Sequence, residues 1–416
     1  MEIAEKKSNA ICYTLAAAAF FLPVFQNASL ALLVIAFLIS LFSGEKLSDG
    51  WTMLRTSFFY KASVALYLIY LSGMLWTDHY DLGWEDLGVK IPLLIFPVIF
   101  SFINLNGSRR YVENSLIAGS IVSVIICFVL SLKVYLKDHD IQNFYYTGFS
   151  HVMHPTYYTM YLNLCVLLLL NKWIHGRLNG MPQRAVAAVL IFIFLTVIIT
   201  LSARLAMLAA MTTILFFLFF EIKKTKSIRR HLPQVLIAAV ILAFWFWKLV
   251  QINNRFIQIA DVIEHKKDVT AVVDTATNVS YNSTTIRIGL LKNSLEVFSK
   301  HPLLGVGTGD FRPETAENLE RKGLHFLAVK NYSAHNQYVQ TATTVGVFAL
   351  IILILVIVVP AWRYFRAGEF LFTAFMLIVF FNAAGDTVLR ASSLLLFMFF
   401  GCYFNKLFIN RQTEKE

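Results

Sequence analysis

Apolar residues in this chain come in long, almost unbroken runs, and nothing else about it constrains the fold as much. A helix that crosses a bilayer needs ~20 mostly apolar residues. Hydrocarbon supplies no partner for backbone polar groups, so such runs have to be helical. Twelve candidate spans can be marked out, at 10–26, 28–43, 58–76, 89–103, 115–136, 155–171, 184–201, 205–220, 233–252, 335–359, 369–384 and 391–408. Only 15% of residues are charged, against roughly 25% in soluble domains. The expected fold class is all-α: a polytopic membrane protein of about twelve transmembrane helices.

Lys6 and Lys7 precede the apolar run Ile11–Leu22 as in a secretory signal. No small-x-small cleavage site follows and a second span begins almost at once, so the run reads as a retained span. Charge then orients the bundle. Threaded with its N-terminus in the cytoplasm, the chain puts 20 of its 36 Lys and Arg, and 9 of its 25 Asp and Glu, on the inner side. The whole formal charge of +11 lies there and the outer side is neutral. This is the positive-inside bias, with both termini expected in the cytoplasm. The basic surplus is thus a topology signal that points to no nucleic acid; membrane lipids, anionic headgroups included, are its expected partners.

The four cysteines, Cys12, Cys127, Cys165 and Cys402, all fall in apolar spans and read as small buried hydrophobes. No metal-ligand spacing and no phosphate-cradling nucleotide loop is present, so neither a metal nor another cofactor is expected. Any energy for chemistry has to come with the substrate.

The chain divides into residues 1–252 with nine spans, a polar segment 253–334, and residues 335–416 with three spans and a short cytoplasmic tail. The polar segment has helical patterning of its own. One helix is expected over Ile257–Lys267. A second is expected over Thr285–Lys300, capped by Ser283 or Thr284, with Ile288, Leu291, Leu295 and Phe298 on one stripe. Gly305, Gly307 and Gly309 mark a tight turn, and a third helix is expected over Pro313–Val329. The segment reads as a helical cap on the outer mouth of the bundle.

The residues that can carry chemistry cluster on that outer side. Ser333-Ala334-His335-Asn336-Gln337-Tyr338-Val339-Gln340 closes the polar segment and opens a span, which makes His335 a candidate reaction centre or a helix cap. Arg204 lies in an outer hairpin between two uncharged spans, where a charge either has a task or snorkels. Arg287 lies on the second loop helix. The glycines at 305, 307 and 309 can expose backbone amides to an anion. His151 and His154 precede Pro155 and can meet substrate hydroxyls or sit in an interfacial belt with Tyr157 and Tyr158. Asp386 can serve as a general base, orient Arg390, or cap a helix. Arginine grips phosphate bidentately and histidine accepts protons near neutral pH. Together they suit a lipid-linked pyrophosphate that is held without a metal while a sugar hydroxyl is activated.

Ser202-Ala203-Arg204, Arg287-Ile288-Gly289, Lys300-His301-Pro302-Leu303-Leu304-Gly305-Val306-Gly307-Thr308-Gly309 and His335-Asn336-Gln337-Tyr338-Val339-Gln340, followed by Gly346, stand in the order seen in one family. The chain resembles the O-antigen ligase and O-antigen polymerase superfamily of bacterial inner-membrane glycosyltransferases. The resemblance implies a GT-C-like helical fold and metal-independent transfer on the periplasmic face. It implies an undecaprenyl-diphosphate-linked glycan as donor, and for a ligase a lipid A–core sugar as acceptor. Arg204 and Arg287 would hold the diphosphate and His335 would be the base or orient the acceptor. Asn336, Tyr338, His154 and the three glycines are expected to bind substrate, with Asp386 and His151 as possible additions. A ligase is the favoured reading. A polymerase joining lipid-linked repeat units is the first alternative. A polysaccharide or lipid transporter is the second, set back by the lack of internal repeats and of charge at mid-membrane depth.

Overall fold

The structure is a computed structural model that describes residues 2–42, 47–178, 180–201, 203–225, 283–330 and 332–414. The expected span 233–252, the expected helix 257–267 and Ser202 lie outside the described residues. Every regular element among the described residues is a helix. In chain order these are α1 (Glu2–Phe21), α2 (Gln26–Leu41), α3 (Leu47–Thr56), α4 (Phe58–Ser72), α5 (Tyr80–Lys90), α6 (Pro92–Phe102), α7 (Arg109–Asp138), α8 (Pro155–Ile174), α9 (Gly180–Thr200) and α10 (Arg204–Thr225). After the gap come α11 (Ser283–Lys300), α12 (Phe311–Arg321), α13 (His325–Val329), α14 (Gln337–Arg366), α15 (Phe370–Gly385) and α16 (Ala391–Thr413).

Six of these helices are long and apolar enough to cross a membrane: Phe58–Leu75, Arg109–Asp138, Gly180–Thr200, Arg204–Lys224, Gln337–Arg366 and Ser392–Thr413. Asn9–Phe21, Gln26–Leu41 and Phe370–Gly385 are apolar but shorter. The figure of about twelve is therefore not reached among the described residues. The expected span 89–103 is corrected in particular. Pro92 lacks an amide hydrogen and starts a new helix, so the segment splits into α5 and the 11-residue α6. Eleven residues rise about 16 Å, well short of the ~30 Å hydrocarbon core.

The bundle is organised around α8, which is buried at 19 of its 20 positions. Its tyrosines, threonines and asparagines lower its hydropathy, yet several of them are paired across to neighbouring helices. The Tyr158 hydroxyl meets Ser123 Oγ at 2.6 Å, the Tyr161 hydroxyl donates to the Ser392 carbonyl at 2.8 Å, and Asn163 Nδ2 donates to Thr213 Oγ1 at 3.0 Å. Paired in this way, polar groups tie α8 to α7, α16 and α10 at little desolvation cost.

One end of the bundle is basic. There Arg411 pairs with Glu369 at 2.7 Å, Arg109 with Glu113 at 2.8 Å, and Lys224 Nζ donates to the Gly368 carbonyl at 2.8 Å. The other end is formed by the starts of α8, α10, α14 and α16, the end of α15, and the cap α11–α13.

The cap has its own small core of Leu290, Leu319, Leu324, Leu327 and Ala328. Two expectations are corrected here. The helix expected over 313–329 is two helices, because Gly323 takes φ 73°, a left-handed turn after α12. The inward stripe of α11 is Leu290, Asn293, Ser294 and Val297, whereas Leu295 is exposed. The apolar spacing alone did not show that Asn293 faces inward; it does so because Asn293 Nδ2 donates to the Thr315 carbonyl at 2.9 Å.

Candidate functional site

The motif around residue 335 is first of all a joint. Asn336 caps α14, its Oδ1 accepting the Val339 amide at 3.1 Å, while its Nδ2 donates to the Ala384 carbonyl at 3.1 Å. Gln337 is buried, with Oε1 accepting the Leu389 amide and Nε2 donating to Thr341 Oγ1, both at 2.9 Å. The Tyr338 hydroxyl donates to the Phe380 carbonyl at 2.9 Å. These side chains clamp the start of α14 to the end of α15 and to the turn 386–390. Asn336 and Tyr338, read from sequence as substrate ligands, are engaged with backbone.

His335 is the exception in that run. Its φ of 47° lies in the left-handed region, an uncommon and strained state for a residue with a Cβ. The flanking contacts hold it there, and its Nδ1 stands 3.5 Å from Asp386 Oδ1. On the other side of the same carboxylate, His154 Nδ1 stands 3.6 Å from Asp386 Oδ2. His154 is positioned by Pro155, the first residue of α8. Among the described residues neither Nδ1, nor Asp386 Oδ2, completes a hydrogen bond, although all three atoms are buried. The separations are long for hydrogen bonds but short for charge attraction. Catalytic contacts in unliganded sites are often loose in this way.

Asp386 also caps α15, and its Oδ1 accepts the Thr387 amide at 2.8 Å. Burial alone would raise its pKa. The two histidines and that amide outweigh burial and hold the carboxyl at about 2, so it is ionised. Burial pushes the His154 imidazole down, and Arg287 and His335 add to this against the pull of Asp386. His154 is therefore neutral at neutral pH.

Gly385 is the meeting point of the remaining pieces. Arg287, half-buried on α11, donates from Nη1 to the Gly385 carbonyl at 3.3 Å. A Cβ at 385 would lie 2.8 Å from Leu205 Cβ, so its absence lets the start of α10, and with it the half-buried Arg204, close on this turn. Arg287, His335, His154 and Asp386 are thus brought to one rim, with the first turn of α10 packed against it through Leu205. His151 is not among them; its Nε2 meets Ser131 Oγ at 3.2 Å on an exposed surface. Sequence reasoning left Asp386 open as base, orienter of Arg390 or cap, and it did not give Tyr157 a role of its own. The Tyr157 hydroxyl donates to the Thr387 carbonyl at 3.0 Å, and its ring lies 5.2 Å from that of His154.

The glycine turn does something other than cradle an anion. α14 breaks at Val345 and Gly346, the latter with φ 84°. The break frees the Thr343 and Thr344 carbonyls, which accept the amides of Val306 and Gly307 at 2.9 and 3.0 Å. Val347 in turn donates to the Pro302 carbonyl at 3.0 Å. The Gly305 and Gly309 amides go to the His301 carbonyl and to Thr77 Oγ1. Asp310 completes the latch by accepting Thr77 Oγ1 at 2.7 Å and His79 Nδ1 at 2.6 Å. The amides of all three glycines are therefore spent within the protein.

Residues 187–354 match the model of a protein family described as O-antigen ligase. Over that stretch the chain is similar to the O-antigen ligase superfamily, and the match supports that assignment. The matched stretch holds Arg204, Arg287 and His335, while His154 and Asp386 lie outside it. No curated protein matches the chain. The family indicates ligase- or polymerase-type chemistry on lipid-linked glycans by a multi-pass membrane protein.

Proposed function

We propose that this protein transfers a glycan from an undecaprenyl-diphosphate carrier to an acceptor sugar at the non-cytoplasmic face of the bacterial inner membrane. The observation that supports this reading best is the gathering of His335, Asp386, His154 and Arg287 at the 384–387 turn. In the proposed reaction His335 takes the proton of the acceptor hydroxyl. That oxygen bonds to the anomeric carbon as the carbon–oxygen bond to the diphosphate breaks, and the electron pair leaves with the undecaprenyl diphosphate. Arg204 and Arg287 meet the charge that develops on the leaving group, with no metal in the step. Asp386, ionised and buried, lies 3.5 Å from His335 Nδ1 and orients the imidazole. His154, neutral, lines the other flank of Asp386, where it can meet a substrate hydroxyl.

Within this reading we favour a ligase, with lipid A–core as acceptor. Transfer from a lipid-linked glycan by the purified protein in EDTA tests the chemistry: turnover is expected to persist. Arg204→Lys and Arg287→Lys are expected to fail, since lysine keeps the charge and loses the fork. Inhibition by EDTA that a divalent ion reverses would overturn the arginine-based step. The surface glycolipids of a deletion strain separate the roles. Loss of all capped lipid A–core marks a ligase, and collapse of the ladder to one repeat marks a polymerase.

A further inference from the structure

Near the reaction rim lies a recess of about 40 Å³, walled in part by Glu85, Asp86, Thr308, Arg312, Gln340 and Arg390. Counting Lys90 behind Asp86, three cations face two carboxylates, and one of the two, Glu85, is exposed and pairs with neither arginine among the described residues. Asp86 is already taken: both its oxygens lie 2.5 Å from the Lys90 ammonium, which is itself 2% exposed. Arg312 and Arg390 are half-buried, and among the described residues neither guanidinium has a hydrogen bond or an ion pair. Two unpaired guanidiniums in one recess repel each other unless an anion joins them. The positive-inside bias offers no other reason for them, because this is the end of the bundle opposite the basic one.

Size limits what can enter. A water molecule needs roughly 10–15 Å³ on this measure. The recess therefore has room for one compact anionic group and not for a diphosphate. Its position ties that group to the reaction. Arg390 is the N-cap residue of α16, four residues after Asp386, and its neighbour Leu389 is bonded through its amide to Gln337 at 2.9 Å. Gln340, on the opposite wall, lies one turn beyond Gln337 on α14.

We infer that this recess binds a single anionic substituent, phosphoryl or carboxylate, of the acceptor glycan and selects acceptors that carry one. This rests on the glycosyl-transfer reading above, and its test separates the two. The first arm uses no turnover. Inorganic phosphate is titrated into the full-length protein in detergent and the thermal midpoint is followed. A phosphate-dependent rise in the wild type that is lost in Arg312→Gln supports the site. No rise in the wild type, or a rise that survives in Arg312→Gln, overturns it.

The second arm measures transfer to one acceptor in three forms: phosphorylated, carboxylated, and stripped of both groups. The wild type is expected to show a lower KM for one anionic form, which identifies the source. Arg312→Gln is expected to raise that KM on the order of 10-fold, the worth of one charge-assisted bond. Its kcat should stay within a few-fold, and the preference over the stripped acceptor should vanish. Equal KM values for all three forms in the wild type, or a fall in kcat alone in Arg312→Gln, overturn the proposal. A wild type that transfers to none of them refutes the transfer reading, and the acceptor assignment with it, while the phosphate arm still reports on the recess.

Discussion

At the scale of single residues, the central pairing is one no local pattern contains. His335 was legible because it sits where a polar segment becomes a span, beside Asn336. Asp386 and His154 were visible only as a helix end and a residue before proline, and both of those readings are correct as far as they go. Their approach to 3.6 Å spans more than two hundred residues of sequence, and only the packing of α8 against α15 creates it. The same packing makes a chemical prediction. His335→Ala is expected to lower transfer by about 10²–10⁴-fold with donor binding retained. Asp386→Asn is expected to lower it less, since it removes the orienting charge and leaves the imidazole. Single-turnover rates check both, and near-normal turnover by His335→Ala would return that residue to a capping role.

The His154 imidazole also makes stability depend on pH. Its folded pKa lies below the unfolded value of ~6.5. As pH falls through that value the unfolded chain takes up a proton that the folded one resists, so stability drops on the acid side. Asp386, held at about 2, contributes stability that is complete above ~3.9 and is lost only as pH falls toward 2, outside this window. Between pH about 7.5 and about 5.5 the thermal midpoint of the wild type should therefore fall further than that of His154→Gln. Parallel curves for the two proteins would show that the imidazole is not held neutral.

At the scale of elements, sequence reading found most helices and misjudged what the glycines between them do. Glycine density suggested an anion cradle because open amides and closely packed amides have the same signature in sequence. The distinguishing fact is the break in α14, which sets two carbonyls free some forty residues downstream. A Cβ on Gly346 would lie 1.9 Å from the Leu303 carbonyl oxygen, and the residue has φ 84°. Gly346→Ala is therefore expected to cost about 1–3 kcal/mol from the backbone conformation alone, with the clash in addition. Gly88→Ala, where the same methyl meets open space, should cost little and gain slightly in helix propensity. Fluorescence-detected gel filtration after a heating series compares them, and equal survival of the two variants would dismiss the latch. The span 89–103 was misjudged for a related reason. Hydropathy does not register that Pro92 divides a run, and Lys90 is buried by pairing with Asp86 rather than by reaching a surface.

At the scale of the whole molecule, charge gives an expectation about orientation. Arg109, Lys224 and Arg411, three of the twenty basic residues that the positive-inside count placed on one side, lie at one end of the bundle beside Glu113, Gly368 and Glu369. Hydropathy alone gave a span count that the described helices do not reproduce: α1, α2 and α15 have short apolar stretches, α6 has 11 residues, and α8 mixes polar with apolar side chains, while 233–252 lies outside the described residues. The orientation remains open to direct test. Reporter fusions after Lys226 and after Lys322 are expected to signal cytoplasm and periplasm respectively, and swapped signals would invert the proposed site with respect to its substrates.

The broken helix α14 carries one more implication, and it concerns time. The first turns of α14 cannot complete their own hydrogen bonding, since the donors for Thr343 and Thr344 belong to residues 306 and 307. Those residues leave the ribosome before α14 does, so the donors exist before the acceptors, with no span among the described residues between them. The joint that aligns the reaction rim can therefore close as soon as the first turns of α14 emerge, against a partner segment that is already waiting.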